Sequence, residues 1–391
     1  MIGIYVGIKR QPVKFQNGYV GISSKAAKIK KGYIGINGIA RLCYEGNKNR
    51  IKGDGFMSLT YSRDCPGVAS TSKYVIYFGG WNGEYRPQNA EAVDKNLTIT
   101  VIPESGYSGT EQAGAAIQDR AFFAGGYYRN SQRTEYYNNV YTIDENLTIR
   151  YPSFYMDVAV SSMGAVSTGS NAIFSGGRGA NGLTNNVYSF DYEYVKTILS
   201  PITIPSRYQG GTTVGNYILF GGGDEQRPGS SYFTRSSNVY VYDSNFTKQN
   251  DMTLTRESSQ RCDRNSANNS NYAIYPLAPL GSGDDAPDAF DKDLVKRRIP
   301  TPVHPWVIAS ATTLIDNVVF YGQGEPVDPE QPLGHWTRAS EAYSKHLVHQ
   351  VVLIEQPTSL SNYLPQKGGT IGDYALFSQS QKDETPIIHA Y

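Results

Sequence analysis

From about residue 50 onward, short apolar runs recur along the chain, each bounded by polar turn residues. Residues 75–78 run into Gly79-Gly80, 121–124 into Gly125-Gly126, 172–175 into Gly176-Gly177, and 218–220 into a small-residue end at Gly222-Gly223. Weaker copies stand at 273–277, 318–322 and 375–379, which makes seven, spaced about 45 to 57 residues apart. Runs of β-branched and aromatic residues between turn signals predict strands, and this period is that of propeller blades.

The neighbours of each run repeat as well. Upstream lies a segment of small residues, as in 112–117, 162–166, 210–214 and 368–371. Small side chains suit an innermost strand crowded around a central channel. A short polar turn such as Asp119-Arg120 or Gly215-Asn216 joins the two, as hairpin chemistry requires. Downstream a third strand ends at Asp94, Asp144, Asp191, Asp243 or Asp291, with Ser344 in the sixth copy. These side chains are expected to cap a tight turn by accepting backbone N–H groups. A fourth strand follows. The pattern predicts an all-β protein, a seven-bladed β-propeller of four-stranded antiparallel blades. The last copy has strands at 367–371, 374–378 and 386–391 but lacks a fourth. The segment near 56–61 stands where that strand is needed, so it is expected to close the ring and remove exposed edges.

The first residues follow another period. Ile4-Tyr5-Val6-Gly7-Ile8 recurs 14 residues later around Tyr19 and again around Tyr33, each time followed by a polar turn and a second short strand. That is a run of β-hairpins, each marginal alone in water. The chain therefore divides into residues 1–48, hairpin repeats, and 49–391, the propeller.

Composition narrows the function. The 391 residues carry 36 Lys and Arg against 35 Asp and Glu, a net charge of +1, which argues against nucleic acid or a membrane surface as partner. No apolar stretch is long enough to span a bilayer as a helix, and the start does not read as a secretory signal. Cys43, Cys65 and Cys262 are odd in number and widely spaced, and read as free thiols in a reducing compartment. The basic residues cluster in the hairpin repeats, where Lys14, Lys28, Lys30, Lys31 and Arg41 accompany Tyr5, Tyr19 and Tyr33, a set suited to docking on an acidic partner.

Strand order assigns the long connections, those from second to third strand and from blade to blade, to one face. They carry Trp81, Tyr85, Arg86, Tyr127, Tyr128, Arg129, Tyr136, Arg178, Arg227, Tyr232 and Trp336. Tyr and Arg among Gly, Ser and Asn compose an adaptable recognition surface on a rigid scaffold. No HExxH, GxSxG or P-loop appears, and the five histidines form no obvious metal set. A catalytic role, a metal and a cofactor are therefore not expected.

The doubled glycine after an apolar strand resembles the kelch repeat family over most of residues 55–391, although the later copies lose the pair and the usual Tyr and Trp signature is irregular. The hairpin units, Lys31-Gly-Tyr-Ile-Gly-Ile-Asn-Gly-Ile-Ala-Arg-Leu-Cys43 above all, resemble short repeats at the start of virion structural proteins of phages that infect Gram-positive bacteria. The resemblance implies a virion protein assembled in the host cytoplasm. Residues 1–48 would dock on other virion proteins, and the propeller would bind a host cell-surface glycan or protein from the tail or baseplate. It leaves open a capsid decoration or head-fibre protein, a bacterial kelch-type adaptor for protein partners, and a homo-oligomer on the particle.

Overall fold

The computed structural model describes residues 19–22, 25–28, 31–36, 39–45, 56–61, 63–81, 87–103, 109–150, 154–226, 229–230, 232–257, 266–276, 286–300, 306–314, 316–324, 337–355, 364–380 and 387–390. The chain forms two compact units, Met1–Ile51 and Lys52–Tyr391, a boundary three residues beyond the one expected from the repeats.

The first unit contains two antiparallel hairpins. Tyr19–Ile22 pairs with Lys25–Lys28, placing Tyr19 opposite Lys28, and Lys31–Ile36 pairs with Ile39–Glu45, placing Ile34 opposite Arg41. Residues 4–15, the first repeat in the sequence, lie outside the described residues.

The second unit is built from strands throughout, with no helix among the described residues. Seven four-stranded antiparallel sheets are described there. The first comprises Gly67–Ser70, Tyr74–Phe78, Ala90–Asp94 and Ile99–Ile102. The second comprises Ala113–Ile117, Arg120–Ala124, Val140–Ile143 and Ile149–Arg150. The third runs from Gly164–Ser167 to Lys196–Leu199, the fourth from Gly210–Val214 to Met252–Thr253, the fifth from Ala267–Asn268 to Lys296–Arg298, and the sixth from Trp306–Leu314 to His349–Glu355. The seventh takes Leu364–Ile371, Tyr374–Ser380 and Ile387–Ala390 from the end of the chain and Phe56–Ser58 as its outer strand, with Ile388 opposite Met57. The architecture is β-propeller-like.

The cores lie between successive sheets. Phe78, Phe123 and Tyr141 meet between the first two, Phe122, Phe174 and Phe190 between the next two, and Ile76, Ala92 and Ala121 are fully buried with them. One such cluster joins Ile371 and Leu376 of the seventh sheet to Val68, Val75 and Val93 of the first. The first strands lie side by side, which explains their small residues. A Cβ on Gly114 would sit 2.3 Å from the Val68 carbonyl oxygen, and one on Gly211 would sit 2.1 Å from that of Ala165. Polar side chains link these strands: Asn268 Nδ2 donates to Thr213 Oγ1 at 2.9 Å, and the Thr370 amide donates to Ser70 Oγ at 2.9 Å.

Each third-to-fourth turn is capped as its aspartate predicts. Asp94 Oδ1 accepts the amides of Asn96 and Thr98, both at 2.8 Å, and Asp243 Oδ1 those of Asn245 and Thr247, both at 2.9 Å. Ser344 Oγ does the same for His346 and Val348. The turn places a large apolar residue at positive φ: Leu97, Leu147, Tyr194, Phe246, Leu294 and Leu347 lie at +57° to +69°. Left-handed backbone costs such a residue about 1 kcal/mol or more. Each side chain packs into the core cluster shared with the preceding sheet, which offsets that cost.

One reading of the sequence is corrected. Cys65 is disulfide-bonded, so the cysteines are not three free thiols; wide spacing in sequence says nothing about distance in the fold. Many tyrosines belong to the core. Tyr77, Tyr188, Tyr240, Tyr242, Tyr275 and Tyr343 are among the largest fully buried side chains. Tyr242 and Tyr343 bury their rings and donate their hydroxyls to the carbonyls of Ser200 and Pro300, in the segments entering their own sheets.

Candidate functional site

Among the described residues, the long connections of the first four sheets are partly paired. In each, the residue after the doubled glycine pairs with the segment entering the same sheet. Trp81 bridges Asp64, Tyr127 bridges Thr110, Arg178 bridges Ser161, and Asp224 pairs with Arg207. The second glycine of the pair also donates its amide to the segment entering the next sheet: Gly80 to Gly109 at 2.9 Å, Gly126 to Val160 at 2.8 Å and Gly177 to Ser206 at 2.7 Å. The two glycines hold φ near +65° and +110° at Gly125-Gly126 and Gly176-Gly177. A Cβ on Gly125 or Gly176 would lie 2.2 Å from the carbonyl oxygen of Val160 or Ser206. The repeat's glycine pair is thus the junction between neighbouring sheets at this face.

The connections then continue as short hairpins. Tyr127–Arg129 pairs with Thr134–Tyr136, and Arg178–Gly179 pairs with Gly182–Leu183. Ser206–Arg207, Asp224–Glu225 and Thr234–Arg235 form a three-stranded sheet. Glu225 is buried beneath it and accepts from Ser236 Oγ at 2.5 Å, Asn238 Nδ2 at 2.7 Å and Tyr240 Oη at 2.7 Å. Under the first sheet the anchor is an ion pair. Arg63 and Glu91 are fully buried and 3.0 Å apart, and Arg63 also donates to the carbonyls of Gly79 and Asn89.

Two residues before each of the first four inner strands the backbone is left-handed: Cys65, Glu111, Ser162 and Tyr208 have φ of +52° to +60°. Their amides form a chain. Glu111 donates to the Cys65 carbonyl at 3.0 Å, Ser162 to that of Glu111 at 3.0 Å, and Tyr208 to that of Ser162 at 2.8 Å. Side chains meet along the same line: the Glu111 carboxylate accepts the hydroxyls of Ser162 and Tyr208, the latter at 3.0 Å. Burial, and then the Glu111 charge, hold the Tyr208 phenol well above its ordinary range, so it is a neutral donor. Arg207 stacks over Tyr208 with its guanidinium carbon 4.8 Å from the ring centre, lies 4.5 Å from that of Phe233, and is paired with Asp224 at 3.1 Å.

Of the residues singled out from the sequence, Trp81 and Tyr232 are exposed, at 40% and 79%. Tyr127, Tyr128 and Tyr136 are half-buried, with the rings of Tyr127 and Tyr136 6.0 Å apart across their hairpin. Arg129 and Arg178 are exposed, and Arg178 lies 5.5 Å from the Phe233 ring centre. Tyr85, Arg86, Arg227 and Trp336 lie outside the described residues, as do Tyr5, Lys14 and Lys30. Tyr19, Lys28, Lys31, Tyr33 and Arg41 fall on the two hairpins of the first unit. The line through Glu111, Ser162, Arg207 and Tyr208 was missed. Its signal was positional, a fixed place two or three residues before each small-residue strand. Among the described residues, no three His, Cys, Asp or Glu side chains are placed to hold a metal ion, and no helix is long and apolar enough to cross a membrane.

The fold has a solved counterpart. The structure of YjhT superposes on this chain with a TM-score of 0.51 at 11% identity, covering 85% of this chain and 95% of that one. At that identity the likeness concerns the fold alone. No family model matches the sequence, and no curated protein matches it.

Proposed function

We propose that the protein is a non-enzymatic virion structural protein of the kelch-like propeller type. Residues 1–48 dock it on the particle, and its long-connection face binds the host cell surface from the tail or baseplate. The seven sheets are the blades of a closed ring, and Phe56–Ser58 completes the last blade. The Ser70–Thr370 hydrogen bond and the apolar cluster shared by the first and seventh sheets support that closure.

One observation carries the binding role. The long connections are built into paired strands locked to the blades by glycine junctions, and on that rigid support they hold Trp81, Arg129, Arg178 and Tyr232 out to solvent. Apolar and cationic side chains held exposed on a rigid frame lose little entropy on binding, which suits recognition. The Tyr208 phenol, held neutral by burial and bonded to Glu111, is fitted to hold a position rather than to attack. The virion role rests on the resemblance of the hairpin repeats.

Gold-labelled antibody against the chain, viewed on particles by electron microscopy, tests the reading. Label at the tail tip or baseplate is expected. Label on the head would make the protein a capsid decoration, and a particle without label would leave the bacterial adaptor.

A further inference from the structure

The aromatic and cationic side chains at the third and fourth blades form one continuous strip. Phe233 is half-buried, with the guanidinium of Arg207 4.5 Å from its ring centre and that of Arg178 5.5 Å from it. Arg207 is also stacked on Tyr208, whose hydroxyl leads to Glu111 and so to Ser162. The two arginines differ in charge balance. Arg207 is neutralised by Asp224 and is largely buried, whereas Arg178 is exposed and has no carboxylate within ion-pair distance among the described residues. Its backbone is fixed by reciprocal bonds to Ser161 at 2.8 and 2.9 Å, and Phe233 flanks its head group. Among the described residues, Arg178 is therefore an exposed guanidinium without a carboxylate partner, beside an aromatic face.

The rest of the strip supplies complementary chemistry. Tyr232, next to Phe233, is 79% exposed and offers a second ring. Glu111, Ser162 and Tyr208 satisfy one another, and Ser162 is buried, so the row braces the strip and does not itself meet a ligand. An aromatic platform beside one fork-shaped cation matches a sugar ring that carries an acidic group. We propose that Arg178, Phe233 and Tyr232 form a subsite for an acidic saccharide, with Arg178 taking the carboxylate or phosphate and Phe233 and Tyr232 the sugar face. This rests on the binding role proposed above and narrows it to one ligand class.

Calorimetric titration of the full chain with trigalacturonate, a glycerol phosphate oligomer and neutral galactotriose is the test. One acidic probe should bind at least tenfold tighter than the neutral one, and which of the two does so identifies the acid. Arg178→Gln should weaken that binding at least tenfold and Phe233→Leu several-fold, both with unchanged melting temperature. Arg178→Lys should restore only part, because an ammonium lacks the planar fork. Equal binding of neutral and acidic probes, unaltered binding by Arg178→Gln, or no binding of either acidic probe overturns the proposal. Competition with particles for adsorption to cells separates this from the broader reading. If wild type and Arg178→Gln block adsorption equally, the subsite falls and the binding role stands; if neither blocks, the binding role falls.

Discussion

Tyr208 donates its hydroxyl to Glu111 Oε1 at 3.0 Å, joining the entry of the fourth sheet to that of the second across the third. The two residues are 97 apart in sequence, and Ser162 of the intervening sheet shares the same carboxylate. Tyr208→Phe removes one donor and leaves Glu111 with Ser162 alone. Equilibrium denaturation should show a loss of about 1–2 kcal/mol, because a charged acceptor loses a partner in a partly buried site. An unchanged midpoint would mean that solvent replaces the phenol and that the row is not a structural tie.

The glycine junctions predict a steep contrast. Gly125→Ala and Gly176→Ala combine positive φ with a Cβ 2.2 Å from a carbonyl oxygen of the next sheet, so the sheets must separate. A cost above about 4 kcal/mol, or failure to fold, is expected. Gly169→Ala has φ of +88° but nothing within 4 Å of the new Cβ, and should cost only the backbone strain, on the order of 1–2 kcal/mol. Similar melting temperatures for the Gly125 and Gly169 variants would refute the junction role.

The turn aspartates give a pH dependence. The Thr98 amide is the largest of the hydrogen bonds that hold the Asp94 carboxyl below its ordinary range. A carboxyl with a depressed folded pKa binds its proton more readily in the unfolded chain. Its contribution is therefore complete above the unfolded value near 4 and is lost as pH falls through the folded one. Asp94→Asn should melt lower than wild type at pH 7, and the difference should shrink as pH is lowered below about 4. A gap that stays constant from pH 7 to pH 3 would show that the charge of Asp94 plays no part.

The disulfide at Cys65 makes a chemical prediction. Thiol titration of the unfolded, unreduced chain should find one free thiol among the three cysteines, and three after reduction. Cys65→Ser should lower stability by about 2–4 kcal/mol under non-reducing conditions and should change little in reductant. Three free thiols in protein purified without reductant would contradict the pairing.

The four-stranded sheets were legible in the sequence because each repeats its strands at fixed offsets. The glycine pairs, the small-residue strands and the turn aspartates from Asp94 to Asp291 each marked an element that the structure contains. The last sheet's fourth strand, Phe56–Ser58, was found by noting that the last repeat of the sequence held three strands. The site was legible only as a face. Trp81, Arg178 and Tyr232 stand out as exposed because aromatic and charged residues in connections do, but Glu111, Ser162 and Tyr208 are unlike one another and share only a position. Nothing in their identity marks a hydrogen-bonded row, since the row exists only once successive sheets lie side by side. The disulfide was hidden for the same reason.

The central claim is that the long-connection face binds the host cell surface. The most direct measurement is adsorption of particles to cells preincubated with the purified full chain. Wild-type chain should block adsorption in a saturable manner, and a Trp81→Ala/Tyr128→Ala/Arg129→Ala variant with an unchanged melting temperature should block at least tenfold less well. Adsorption unaffected by saturating wild-type chain, or blocked equally by the variant, would contradict the account.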